Sequence, residues 1–214
     1  MTADYHPPAY HPPAYHPSEE TLLRHASGGL DAAFRAVVST HLAGCPSCRA
    51  AVLAAEQVGG RLLEALPGTA MAPDARARCL ARLDAPRPPP VPEAEDAIAG
   101  YEIGRWHRLG PGVAMATLLA PAGGRAGLHL LRVQPGARLA AHGHRGLELT
   151  AVLEGSIRDE TGLYQPGDVT ENDSEGDHTP MAVGTQACLC LIAVHGKLRF
   201  HHWLLRLLQP WFGL

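Results

Sequence analysis

Residues 136–155 read GARLAAHGHRGLELTAVLEG, and this stretch decides the fold of the second half of the chain. His142 and His144 are two positions apart, so on a β-strand both imidazoles point to the same face. Glu148 follows on the same run. Imidazoles together with a carboxylate suit a divalent transition metal such as zinc, manganese, iron or nickel. We therefore predict a metal site on β-structure, with His178 as a fourth ligand from later in the chain.

Short apolar or alternating runs recur through the second half of the chain, and turn-forming glycines and prolines separate them. Many short strands at such spacing are typical of an antiparallel sandwich or barrel. Strands are predicted at residues 113–119, 128–133, 148–153 and 187–194.

The first 85 residues carry helix signals instead of strand signals. Ser18 can cap a helix that has two glutamates in its first turn, and Asp31 can cap a second helix. Pro46 suits the first turn of a third helix, and a fourth helix can start after Pro73. This part of the chain is thus predicted to be a small helical domain.

The most specific feature of the helical part is the spacing His41-x3-Cys45-x2-Cys48. Residues three or four apart on helical backbone share a face, so one imidazole and two thiolates can converge. This donor set suits tetrahedral zinc, and His16 can supply the fourth ligand of a closed structural site. The alternative is a buried histidine with two inert cysteines.

A proline-rich stretch and a short repeat set the predicted domain limits. Five prolines lie between residues 85 and 95, which excludes helix and central strand there. The repeat Tyr-His-Pro-Pro-Ala starts at Tyr5 and again at Tyr10, and a third copy begins at Tyr15. The predicted fold class is α+β multidomain: a disordered repeat tail at 1–14, a helical zinc-binding domain at 15–85, a linker at 86–95 and a β-barrel domain at 96–214.

The composition excludes several classes of protein. Only 18% of the 214 residues are charged and the net charge is -3, which argues against a strongly basic nucleic-acid-binding protein. The longest apolar run is too short for a membrane span, and the first ten residues show no secretory signal. We therefore expect a cytoplasmic protein, in which cysteines near histidines bind metal before they form disulfides.

Cys188 and Cys190 flank one residue of an apolar run. On a strand they share a face, about 7 Å apart along the strand, so a disulfide between them would be strained. We favour two small core residues, and the alternative is a redox pair that reacts with oxidants. Cys79 is interpreted as an ordinary buried helix residue.

The His-x3-Cys-x2-Cys spacing with an upstream histidine resembles the zinc-binding anti-sigma domain over about residues 15–85. The resemblance implies that these helices bind an extracytoplasmic-function sigma factor and block its access to RNA polymerase. Family members usually reach the first ligand sooner, so the repeated tail leaves open whether His11 replaces His16.

The part beyond the linker resembles the cupin family, whose fold is a small β-barrel or jelly roll. His142, His144 and Glu148 match the ligands of its first motif, and His178 matches the histidine of its second motif. Ala182 departs from the family, because the second motif often has Asn there. The resemblance implies a second divalent metal, with zinc favoured over manganese, iron or nickel.

The order of the two modules resembles the ChrR family of anti-sigma factors, including the strings at residues 142–150 and 208–212. The resemblance implies a regulator and not an enzyme. Its helical domain would hold the sigma factor, and its cupin domain would release the sigma factor during oxidative stress, notably by singlet oxygen. No direct contact with nucleic acid or membrane is implied.

Two other functions deserve comparison with this one. A metal-dependent cupin enzyme of the dioxygenase or isomerase type, with an accessory zinc domain, is the alternative, because three or four ligands leave coordination positions open. A DNA-binding zinc finger fits poorly, since residues 1–85 hold 7 arginines against 8 acidic residues.

Overall fold

The computed structural model describes residues 12–83, 98, 100–139, 142–143, 146–172, 179–195 and 199–200. Within these ranges the chain forms four helices followed by eleven strands. The helices are α1 Glu19–Ala26, α2 Ala32–Gly44, α3 Pro46–Glu64 and α4 Ala75–Leu83. The strands are β1 His107–Gly110, β2 Val113–Leu119, β3 Gly127–Val133, β4 His142–Gly143, β5 Glu148–Glu154, β6 Ile157–Arg158, β7 Leu163–Tyr164, β8 Val169–Asn172, β9 Met181–Ala182, β10 Cys188–Val194 and β11 Arg199–Phe200.

The strands form a cupin-like antiparallel sheet domain. The main sheet has the order β1-β2-β3-β10-β5-β8, a second sheet has the order β7-β6-β9, and β4 pairs with β11. The central strand β10 pairs antiparallel with β3 on one side and with β5 on the other. The predicted barrel-type fold with a helical domain before it is confirmed, and the four predicted strands correspond to β2, β3, β5 and β10.

Both faces of the central strands β3, β5 and β10 are largely buried, which explains why these strands read as nearly continuous apolar runs. The inner face packs Leu131, Val152 and Cys190 into the barrel core. The outer face presents Leu130 and Leu191 to the helical domain, whose α2 packs on β5 and β10. The helical domain and the sheet domain therefore share one buried apolar cluster.

The first two helices begin where the sequence predicts. Ser18 caps α1, and its side chain accepts a hydrogen bond from the Thr21 amide. Asp31 stands at the N-cap position of α2 without a side-chain capping bond. Its carboxylate accepts a hydrogen bond from the Ala126 amide at 3.1 Å, so it joins the two domains instead.

The burial of side chains in the helical domain ends within α3. Val52 is the last buried residue of that helix, and α4 has no buried residue. Cys79, predicted to be buried, is exposed, because α4 buries none of its side chains in the described part of the chain. None of the helices described is both long enough and apolar enough to cross a membrane.

Gly155, the last residue of the stretch 136–155, occupies a position that requires glycine. Its φ is +68°, a conformation that L side chains rarely adopt, and a Cβ there would lie 2.5 Å from the Ala187 carbonyl oxygen. The close approach lets the chain leave β5 beside the start of β10.

The predicted linker at 86–95 and most of the predicted tail lie outside the described residues. The division at the linker thus stays a prediction. Ala14, which the prediction places in the tail, donates its amide to Asp168 of the sheet domain at 2.7 Å. Contact with the sheet domain therefore begins within the repeat.

Candidate metal centre

Four side chains from separate parts of the helical domain meet at one point. His16 precedes α1, His41 lies in the last turn of α2, Cys45 joins α2 to α3, and Cys48 lies in the first turn of α3. Each offers one donor atom, and the four atoms all lie within 4.8 Å of one another. The structure thus brings together the four residues of the first predicted metal site.

The distances between these donor atoms fit a tetrahedral ion. His41 Nε2 lies 3.3 Å from His16 Nδ1 and 3.3 Å from Cys48 Sγ. His16 Nδ1 lies 3.4 Å from Cys45 Sγ and 3.5 Å from Cys48 Sγ. A zinc tetrahedron with ordinary bond lengths separates two nitrogens by about 3.4 Å and a nitrogen from a sulfur by about 3.6 Å. The donor set and its spacing therefore fit a single tetrahedral metal ion.

Burial favours the neutral forms of His41 and Cys48 until a cation is bound. His41 is 1% exposed, and burial lowers its pKa. Burial also raises the pKa of Cys48 to about 11, and the Cys45 thiol acts in the same direction. A divalent cation offsets this cost, because it favours the thiolate form of its ligands. Metal binding at this site should therefore release protons.

Ser47 is a residue of this site that the sequence analysis missed. Its hydroxyl lies 3.1 Å from Cys45 Sγ. Burial acts to raise the pKa of Cys45, but hydrogen bonds from the Ser47 side chain and the Cys48 backbone outweigh it and lower that pKa. The sequence signal that could have identified Ser47 is its position between the two cysteines at the start of a helix.

The second predicted metal site is described only through Glu148. It is the first residue of β5, and burial raises its pKa to about 7, against hydrogen bonds from Thr150 and Asn172 that lower it. The side chain of His142, and the whole of His144 and His178, lie outside the described residues. This site stays a prediction, and the buried carboxyl is compatible with a ligand that ionises when a cation binds.

Cys188 and Cys190 lie side by side on β10, as the strand spacing predicts. Both are fully buried, and their sulfur atoms are 3.5 Å apart. The hydrogen bond between them raises the pKa of Cys190, as burial does, and lowers the pKa of Cys188. A thiol reacts with oxidants mainly as an accessible thiolate, so the burial of both sulfur atoms favours the packing role, and the redox alternative stays a prediction.

His129 is a second residue whose environment the sequence analysis did not predict. It lies on β3, is 2% exposed, and its Nδ1 is 3.1 Å from the Thr117 hydroxyl. Its Nε2 has no hydrogen-bond partner among the described residues. Burial lowers the pKa of His129 to about 4, so the imidazole is neutral at physiological pH. The sequence signal that could have indicated the burial of His129 is its position inside an apolar predicted strand.

The fold and the first site together define a class: a metal-binding helical domain docked on a cupin-like domain. A family model for the ChrR cupin-like domain matches residues 95–198. The anti-sigma-E factor ChrR of Cereibacter sphaeroides is 42% identical over 208 residues, which cover 92% of this chain and 97% of the relative. The crystal structure of Rhodobacter sphaeroides SigE in complex with the anti-sigma ChrR matches 84% of this chain and 98% of its own, with 42% identity and a TM-score of 0.73.

Identity of this extent along almost the whole chain decides the family. The chain belongs to the ChrR family of anti-sigma factors. Its role is that of a regulator and not that of an enzyme, so the alternative of a cupin dioxygenase or isomerase is not the one that its relatives support.

Proposed function

We propose that this chain sequesters an extracytoplasmic-function sigma factor through its helical domain. The observation that carries the proposal is a set of large apolar side chains left exposed on α3, on α4 and between them, which we call the apolar strip. Eight residues form it, and each is between 46% and 81% exposed: Leu53, Val58, Leu62, Leu63, Leu66, Met71, Leu80 and Leu83.

The apolar strip is larger than the scatter of apolar residues on an ordinary surface. Val58 and Leu62 are four residues apart and so lie along one side of α3, and Leu66 follows just after the helix ends. A groove of about 390 Å³ opens at the start of this stretch, between Val52, Leu53 and Glu56. Exposed large apolar side chains concentrated in one segment, residues 53–83, support a protein interface there. The relative in the matched crystal structure is in complex with the sigma factor SigE, which supplies the class of partner.

His16, His41, Cys45 and Cys48 would hold a zinc ion in this proposal. The ion, when bound, would link the start of α1, the end of α2 and the start of α3 through its coordination bonds. His41 and Cys48 fix the angle between α2 and α3, and His16 fixes the start of α1 against both. The orientation of α3, and with it the direction of the apolar strip, thus depends on the ligand cluster.

The cupin-like domain is proposed as the sensor that causes release in oxidative stress, with singlet oxygen as the favoured signal. Its metal ligands would be His142, His144, Glu148 and His178. Glu148 supports this assignment, because a carboxyl buried inside the barrel costs stability unless it is paired or protonated. Since a sigma factor acts on RNA polymerase, we place the complex in the cytoplasm.

The sigma-binding proposal is tested by changing one residue of the apolar strip. Leu62→Asp should weaken the complex with the partner sigma factor at least thirtyfold, because a hot-spot residue contributes about 2 kcal/mol or more. Leu62 is 66% exposed, so metal content and thermal stability should not change. Isothermal titration with the purified sigma factor measures the affinity.

Ile103→Asp is the matched control, since Ile103 is 59% exposed and lies outside the apolar strip. It should bind like the parent chain. Equal affinities for the parent, Leu62→Asp and Ile103→Asp would contradict the assignment of the apolar strip to the sigma factor.

The sensor proposal needs a different readout. Glu148→Ala should leave sigma binding intact in the dark and abolish induction of a sigma-dependent reporter by a photosensitiser that makes singlet oxygen. Cys188→Ser tests the redox alternative in the same assay, and we expect it to respond like the parent. Loss of sigma binding in Glu148→Ala would show that the cupin-like domain does more than sense.

A further inference from the structure

His41 has its outer ring nitrogen bonded to the sheet domain. Its Nε2 faces the ligand cluster, and its Nδ1 lies 2.7 Å from the carbonyl oxygen of Gly167, in the turn between β7 and β8. Because a carbonyl only accepts, Nδ1 carries the proton and Nε2 keeps its lone pair for the cluster. This is the tautomer that a metal ligand needs, and the sheet domain selects it.

The segment that ends at His16 is held by the same turn. Asp168 Oδ1 accepts hydrogen bonds from the amides of Ala14 at 2.7 Å and Tyr15 at 3.1 Å. The Val169 amide donates to the Tyr15 carbonyl at 3.1 Å. The residues before His16 therefore run along β8, the edge strand of the main sheet.

Glu171 fixes the chain on the other side of His16. Its carboxylate accepts from the Ser18 amide at 2.8 Å, the Ser18 hydroxyl at 2.9 Å and the Thr21 hydroxyl at 2.8 Å. A carboxylate at the N-terminus of α1 is also favoured by the helix dipole. His16 thus lies between two attachments to one strand of the sheet domain.

We propose that residues 167–171 of the sheet domain, which we call the clamp, are the outer coordination shell of the helical domain's metal centre. The clamp positions both histidine ligands, so the metal is retained only as long as the two domains stay docked. The next residue, Asn172, is hydrogen bonded to Glu148, so β8 contacts both candidate metal sites. The inference rests on the proposed metal site and not on the identity of the partner.

The test uses the full chain loaded with Co²⁺, followed by transfer of the metal to excess EDTA. The thiolate-to-cobalt absorption band reports on the site that contains Cys45 and Cys48, and its loss in Cys48→Ser assigns it. Replacing an outer-shell partner lowers metal affinity about 10-fold to 100-fold. Asp168→Ala should therefore lose this band at least tenfold faster than the parent, and Glu171→Gln several-fold faster.

Asp159→Asn is the matched control, because Asp159 Oδ1 accepts from the Thr161 and Gly162 amides at 2.8 and 3.1 Å within the sheet domain itself. It should lose the band within twofold of the parent rate. If Asp168→Ala fails to fold, Glu171→Gln decides, since it changes one side chain at the surface. Rates within twofold of the parent for the folded clamp variants would overturn the proposal.

A second readout is specific to His41. In zinc-loaded protein labelled with ¹⁵N, the His41 ring should show a slowly exchanging proton on Nδ1, and Asp168→Ala or Glu171→Gln should speed its exchange. A ring protonated on Nε2 alone would overturn the proposal. Absence of the cobalt band in the parent chain would instead refute the metal site itself, which separates the two failures.

Discussion

The helical domain divides at Val52 into two halves with opposite surroundings. The docked half, residues 12–52, buries most of its large apolar side chains in the cluster that it shares with the sheet domain, and the open half, residues 53–83, buries none. Both halves consist of helices with comparable apolar residues. A helix as short as α4, with 9 residues, is marginal without packing. Helical periodicity alone therefore does not distinguish helices that stabilise the chain from helices whose apolar side chains need a binding partner.

The largest expected effect contrasts one apolar residue from each half. Val37 in α2 is fully buried, so Val37→Asp should lower the free energy of unfolding by about 4 kcal/mol or more. Val58 in α3 is 61% exposed, so Val58→Asp should change it by no more than about 0.5 kcal/mol. Urea denaturation of the zinc-loaded chains checks both values. Similar losses of stability for the two variants would contradict the division of the helical domain at Val52.

The sheet domain, on which the docked half packs, should be sensitive to acid through His129. Its pKa is lowered from 6.5 to about 4, so the unfolded chain binds more protons between these values. Titration of His129 should therefore remove about 3 kcal/mol of stability as the pH drops from about 6.5 to about 4. The raised pKa of Glu148 acts in the opposite direction over part of this range, so the quantity to measure is the difference in stability between the parent and His129→Gln at several pH values. This difference should shrink as the pH falls, whereas His107→Gln, a control at an exposed histidine, should follow the parent.

One cysteine from each half distinguishes the two halves by metal content and stability. Cys48 belongs to the docked half, and Cys48→Ser should lose one metal ion and about 3 kcal/mol of stability, the contribution of a ligand present at a few hundred times its Kd. Cys79 belongs to the open half and is exposed, so Cys79→Ser should keep both. Metal analysis after dialysis, together with denaturation, distinguishes the two variants. A stable, zinc-loaded Cys48→Ser chain would contradict the proposed centre.

The smallest effect concerns the contact between the docked half and the sheet. Asp31→Ala leaves the Ala126 amide, which is 1% exposed in the parent, without its acceptor. The expected loss of stability is about 1–2 kcal/mol. Asp31→Asn keeps an acceptor and should lose less. Thermal unfolding of both variants provides the test, and equal stability of Asp31→Ala and the parent would weaken the case for docking through this bond.

Much of the fold was predictable because local rules agree with it. The capping of α1 by Ser18, Pro46 in the first turn of α3 and the turn after β5 at Gly155 each follow from backbone chemistry. The His-Cys spacing predicted three of the four members of the metal cluster, since His41, Cys45 and Cys48 lie about one turn apart along the chain. These features depend on neighbours in sequence.

The rest could not be predicted because it depends on distant contacts. Gly167 reaches His41 across 126 residues through a main-chain carbonyl, which no side-chain pattern encodes. The exposure of Leu62 could not be inferred either, because an apolar stripe on a helix is the same for a core and for an interface. Cys79 was predicted to be an ordinary buried helix residue, and the lack of buried residues in α4 leaves it exposed.

The measurement that tests the central claim most directly is hydrogen exchange of the zinc-loaded full chain, alone and with its sigma factor. We expect the amides of the open half to exchange rapidly in the free chain and at least tenfold more slowly in the complex. Those of α2 and the main sheet should change little. Protection confined to the sheet domain, with the open half exchanging at the same rate in both states, would contradict it.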